Sequence, residues 1–200
     1  RSFNAASGLA GRVYDLHEDR SGHIWLATDH AAQRYDGYQW TTYTTGDGLS
    51  SDDLRAVTQT RDGSHWFAAS DGTISRLTDG RWETFQGNEP ARYGKVTFCQ
   101  TTDGQLLAGY SSEREGDTGR QWSLARFGGG AWEQVELPAE SGFARVNDVV
   151  QGPDGSVWVA TERHGVLRHL AGRWSHHWSG TGEIGDNVSA SRLRGLSRKE

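Results

Sequence analysis

Four times along this sequence a short apolar run is followed by an Arg and, six residues after that Arg, by a Trp. The sets are Trp25, Arg34 and Trp40; Trp66, Arg76 and Trp82; Leu107, Arg126 and Trp132; Trp158, Arg168 and Trp174. The first marker steps by 41, 41 and 51 residues and the second by 42, 50 and 42. A supersecondary unit that recurs every ~40 residues cannot bury its apolar face alone and must stack on its neighbours. With four short strands in each unit, that period reads as the blade of a β-propeller.

The second unit shows the strands most clearly. Period-two alternation and turn residues place strand a at 54–59, strand b at 65–69, strand c at 73–77 and strand d at 81–85. Asp62-Gly63, Asp71-Gly72 and Asp79-Gly80 separate them, and such pairs supply the positive φ that a tight hairpin needs. The same reading gives all-β blade units at about 12–46, 53–88, 95–138 and 145–180, with partial strands at 1–4 and 188–200. Phe3 stands before Gly8-Leu9 as Tyr43 stands before Gly48-Leu49, and Leu193–Leu196 matches Val13–Leu16. These incomplete units predict a piece of a longer array, of seven blades by the resemblance described below. Open blade edges would favour self-association.

Composition narrows the partners. Net charge is −5 with no long basic cluster, which argues against nucleic acid. No apolar run approaches the ~20 residues of a membrane span, so no direct membrane insertion and no targeting segment are expected within these residues. Only 34% of residues are hydrophobic, but the nine Trp recur at fixed places and can fill the space between sheets. The single Cys99 lies in a strand-like run and reads as a half-buried, inert thiol.

In an up-and-down sheet the b–c turns and the d–a connections share one end of the blade. The a–b and c–d turns share the other, where the short Asp-Gly turns cluster. Varied loops on a rigid scaffold are where binding residues sit. The candidate ligand-binding residues are therefore Asp29, His30, Asp71, Arg114, Arg120, Glu162, Arg163 and His164, all in b–c turns. The recurring Arg and Trp residues read as scaffold, with the guanidinium stacked on a ring or paired with a carboxylate. Asp47, Asp52 and Asp53 read as solvated turn acids rather than a Ca²⁺ loop, because no twelve-residue ligand pattern is present. His177 occupies the slot of Tyr43, Phe85 and Val135 and reads as a packed side chain. Glu113, Glu115 and Asp117 belong to an expanded, solvated third b–c turn. No catalytic residue, metal ligand or cofactor is assigned.

The phrases Gly48-Leu49-Ser50-Ser51-Asp52-Asp53-Leu54, Asp71–Leu77 and Asp154–Thr161 resemble the two-component regulator propeller repeat. The third unit departs from it, with Leu107 for Trp and no Gly-Leu pair between Gln86 and Lys95. The resemblance implies a periplasmic or extracellular sensor region of a hybrid histidine kinase or similar bacterial signalling protein. It also implies a small-molecule or oligosaccharide ligand, and the rest of the parent protein as partner. Two rival readings are a propeller lyase using His164, Glu162 and a metal, and a lectin-like or scaffold propeller. Equal sugar sites in every blade are not expected, because the loops are unequal.

Overall fold

The computed structural model describes residues 8–86, 93–112, 123–138, 145–162 and 165–177. The partial strands expected at 1–4 and 188–200 lie outside these residues. The chain divides into two compact units, Arg1–Lys95 and Val96–Glu200.

All described strands belong to four antiparallel four-stranded sheets, each in simple up-and-down order. The first is β1 (Val13–Glu18), β2 (Ile24–Thr28), β3 (Ala32–Tyr35) and β4 (Trp40–Tyr43). The second is β5 (Leu54–Gln59), β6 (His65–Ala69), β7 (Ile74–Thr78) and β8 (Arg81–Phe85). The third is β9 (Tyr93–Gln100), β10 (Leu106–Ser112), β11 (Leu124–Gly128) and β12 (Ala131–Gln134). The fourth is β13 (Val146–Gln151), β14 (Val157–Thr161), β15 (Val166–Leu170) and β16 (Arg173–His176). These are the blades of a β-propeller. In the second sheet three of the four strands run as expected, and strand c is displaced by one residue.

Register explains the sequence markers. Trp25, Trp66, Leu107 and Trp158 lie directly opposite Arg34, Arg76, Arg126 and Arg168 on the neighbouring strand. Trp40, Trp82, Trp132 and Trp174 lie opposite the residue that follows each Arg. The six-residue spacing is thus the length of one hairpin. Its turn is closed by Asp79-Gly80, Gly129-Gly130 and Ala171-Gly172 in the last three blades, both residues of each pair at positive φ.

In the second and fourth blades the outer strand is largely exposed and the first strand is buried over its first four residues. Within the first unit, Trp25, Ala27, Ala32 and Tyr43 of one blade pack against Leu54, Val57, Phe67, Leu77 and Trp82 of the next. Leu49 plugs this junction from the connecting segment. It can do so because Gly48, at φ 110°, lets the chain pass the Trp82 ring, where a Cβ would meet Trp82 carbons at 3.0 Å. Within the second unit the junction is aliphatic, built from Leu107, Leu124, Val146, Val149, Val159 and Leu167. Cys99 is half-buried against it, as expected.

Candidate functional site

The two ends of the blades are built differently. At the a–b end the same turn is made four times. Asp19, Thr60, Thr101 and Gly152 each donate their N–H to the carbonyl four residues on, and each accepts from a later Gly N–H at 2.9–3.1 Å. Gln59, Gln100 and Gln151 clamp three of these turns through the carbonyls of Gly63, Gly104 and Gly155. The recurring Arg residues are also scaffold. Arg34, Arg76 and Arg168 lie over Trp25, Trp66 and Trp158 at 5.8, 5.3 and 5.2 Å. Arg76 and Arg126 pair with Glu83 and Glu133 on the adjacent strand, and Arg168 pairs with Asp154. Bonds from the Ser156 hydroxyl and N–H, with Arg168 behind them, hold the Asp154 carboxyl at about 2.

The opposite end starts from a shared device. In the first, second and fourth blades the inner strand carries a β-bulge one residue after its start, at Tyr14, Arg55 and Asn147. A bulge re-aims a side chain. Just before it, Arg12, Asp53 and Arg145 face Asp29, Ser70 and Glu162 at the end of the second strand, with backbone bonds of 3.2, 2.8 and 2.9 Å. The scaffold is constant here and the side chains are not.

In the first blade the Asp29 carboxylate accepts from the Arg12 N–H at 2.8 Å and lies 2.6 Å from His30 Nδ1. The His30 contact, then the Arg12 N–H, holds the Asp29 carboxyl below its ordinary value. With Nδ1–H donating to Asp29, the ring is fixed in orientation and Nε2 is left as an acceptor. The His30 side chain is 69% exposed. Gly11, at φ 74°, brings the backbone against this dyad, and a Cβ there would collide with both residues. Arg12 places its guanidinium 5.0 Å from the Tyr14 ring, and Arg55 lies 4.0 Å from the same ring.

In the second blade Asp53 is taken up by Arg55 and by Ser70 Oγ at 2.7 Å. Asp47 accepts from Thr44 N–H and Asp52 from Thr45 N–H, at 2.8 and 2.7 Å. These turn acids, exposed or half-buried, also staple their loops. Asp71 is exposed and accepts from the Thr73 N–H and hydroxyl at 2.9 and 2.7 Å. In the fourth blade Glu162 pairs with Arg145 at 3.1 Å.

Of the eight candidate residues, His30 is presented to solvent with Asp29 behind it, Asp71 is exposed and bonded to Thr73, and Glu162 pairs with Arg145. Arg114, Arg120, Arg163 and His164 lie outside the described residues, as do Glu113, Glu115 and Asp117. Arg12 and Tyr14 are additions that the loop-based reading missed. Their signal was a charged residue immediately before the first strand, at Arg12, Asp53 and Arg145. His177 does pack on the Trp158 ring, centroids 4.8 Å apart, and it stays exposed. Among the described residues no group of acidic, His or Cys side chains is arranged to hold a metal ion.

Comparison with known proteins agrees with this architecture. The family model for the two component regulator propeller matches residues 7–30. No curated protein matches. Among solved structures, the chain resembles virginiamycin B lyase from Staphylococcus aureus at 18% identity and TM-score 0.65, covering 84% of this chain and 56% of the lyase. It resembles the extracellular domain of BT4673 from B. thetaiotaomicron, described as a one component and as a hybrid two component system. There the identity is 14% and the TM-score 0.66, over 88% of this chain and 23% of that one. A third likeness is PorZ, a surface component of the type-IX secretion system of Porphyromonas gingivalis, at 11% identity and TM-score 0.64. It covers 94% of this chain and 31% of PorZ. The chain thus spans little more than half, or less, of each structure, and at these identities the likeness concerns the fold.

Proposed function

From a chain that carries the two-component regulator propeller repeat, we propose a non-enzymatic, extracytoplasmic sensing role in a bacterial two-component signalling protein. The ligand, a small molecule or oligosaccharide, binds at the b–c and d–a end of the blades. The observation that carries this reading is the contrast between the ends. One end repeats a single closed turn, and the other presents an oriented His30 beside Arg12 and Tyr14. An imidazole, a guanidinium and a phenol at one edge suit hydroxyl- or carboxylate-bearing ligands. The likeness to extracellular domains of signalling proteins supports both the role and the compartment. The lyase reading relied on His164 and Glu162 with a metal, and Glu162 pairs with Arg145.

The test is a binding screen of this chain against neutral and acidic oligosaccharides by ligand-observed NMR, repeated with His30→Ala and with Arg76→Ala as a control. Binding weakened about tenfold or more by His30→Ala and unchanged by Arg76→Ala is expected. Binding that survives His30→Ala, or turnover of a bound compound, would overturn the proposal. Sequencing the flanking coding region tests the signalling half. A membrane span of ~20 apolar residues and a kinase-like region are expected there.

A further inference from the structure

The junction between the first two blades departs from the repeat at positions that meet in space. At the head of the a–b turn the other blades carry Thr60, Thr101 and Gly152, and the first carries Asp19. In the slot before the first marker the other blades carry Ile24, Leu106 and Val157, and the second carries His65. His23 replaces Ser64 and Ser156, and His17 replaces Thr58 and Val150. Scaffold positions recur. These do not.

The Asp19 carboxylate gathers the cluster. One oxygen lies 2.9 Å from the Trp25 indole N–H, 3.2 Å from His23 Nδ1 and 3.4 Å from His65 Nε2. The other accepts from the Ser21 and His23 N–H groups at 2.8 and 2.9 Å. Asp19 and His65 side chains are only 4% and 12% exposed, and the His65 ring lies 4.3 Å from the Trp25 ring. Satisfying the indole does not need a charge. Trp66 and Trp158 donate to the neutral hydroxyls of Thr60 and Ser156 at 3.0 and 2.8 Å. Asp19 and His23 belong to the first blade and His65 to the second, so the cluster spans the junction.

We infer that His17 and His65 beside Asp19 form a pH-sensitive latch between these blades, closed while these two imidazoles are neutral and loosened when they become cations. The charged groups facing His65 are Asp19 from the β1–β2 turn, His17 from β1 and Arg34 from β3. Around His17 stand Asp15, Asp19 and Glu18. Burial is the largest influence on His65 and His17 and pushes both below the ordinary 6.5; the acidic neighbours only partly offset it. The closed junction therefore binds protons less readily than an opened one. Its full stability is present above pH 6.5 and is lost as pH falls below that value towards the depressed pKa values. Asp19 stays ionised throughout. Burial raises it, but the bonds from Trp25, His23 and Ser21 outweigh burial and hold it at about 2.

The test is urea unfolding of this chain at pH 7.5 and 5.5, for the wild type, His65→Gln and His17→Gln/His65→Gln. The unfolding constant of the wild type is expected to rise by a larger factor between the two pH values than that of the double variant. Imidazole proton shifts of the wild type, followed by NMR, keep the test independent of variant folding. His65 and His17 midpoints below 6.5 are expected. Midpoints at or above 6.5, or equal pH dependence in wild type and variants, would overturn the latch.

Discussion

The junction inside the first unit and the junction inside the second occupy the same place in the repeat and are filled by different chemistry. The first is aromatic: Trp25 stacks on Tyr43 at 5.6 Å and meets Phe67 edge-on at 5.6 Å, with Trp82 beyond. The second has Leu107 where the first has Trp25, and it is closed by Val and Leu side chains. Both bury their apolar atoms, so shape and area suffice to stack blades. The difference is polar. An indole brings an N–H that must find an acceptor when buried, and Asp19 supplies it. Leu107 makes no such demand, and Thr101, at the place of Asp19, bonds only within its own turn, to Asp103 and the Gln105 carbonyl. The aromatic junction therefore carries an acid and imidazoles, where the aliphatic one has Thr101, Gln105, Cys99 and Val157 at the equivalent positions.

The largest expected effect that tests this comparison is Trp25→Ala. Loss of a buried ring costs about 3–5 kcal/mol, against about 2–5 kcal/mol for Leu107→Ala. The Trp25 variant should lie at the top of its range, because Asp19 also loses a donor. Urea unfolding measures both, and a greater loss at Leu107 would break the comparison. Next, Gly48→Ala should destabilise by about 1–3 kcal/mol, through positive φ and the approach to Trp82. Gly22→Ala, where the space is open, should cost the backbone strain of about 1–2 kcal/mol alone.

Asp19→Asn sharpens the polar half of the contrast. A carboxyl held at about 2, below its unfolded 3.8, contributes stability that is present above pH 3.8 and lost as pH falls towards 2. The variant should flatten that acid limb of the stability curve, read by urea midpoints between pH 5 and 2. The smallest effects lie outside both junctions. Ala171 holds φ 50° in the last c–d turn, so Ala171→Gly should raise stability by about 1 kcal/mol. Arg76→Ala removes a partly exposed pair with Glu83 and should cost no more than about 1 kcal/mol in thermal or urea unfolding.

Much of the fold was legible because repetition amplifies weak signals. A single Arg and Trp six residues apart say little, but four such pairs give the hairpin length that the register of Arg76 and Trp82 confirms. The candidate end was legible too, since chain order alone places Asp29 and His30 in a b–c turn. What chain order could not say was which side chains there were already occupied. Glu162 looked as available as His30, and its partner Arg145, 17 residues away, is found only by folding. The histidine cluster escaped notice for a related reason: His17, His23 and His65 sit on strands and a turn that read as scaffold, and His65 reaches Asp19 across 46 residues of sequence.

By itself the sequence determined the strand count per blade, the turn positions and which rings face a neighbouring sheet. Those follow from local periodicity, from Gly at positive φ and from the repeat. Only the tertiary structure decided which polar groups are buried together and which face water. That depends on distances between residues remote in the chain, and burial and pairing set whether a carboxylate or an imidazole is a staple, a latch or a free hand for a ligand.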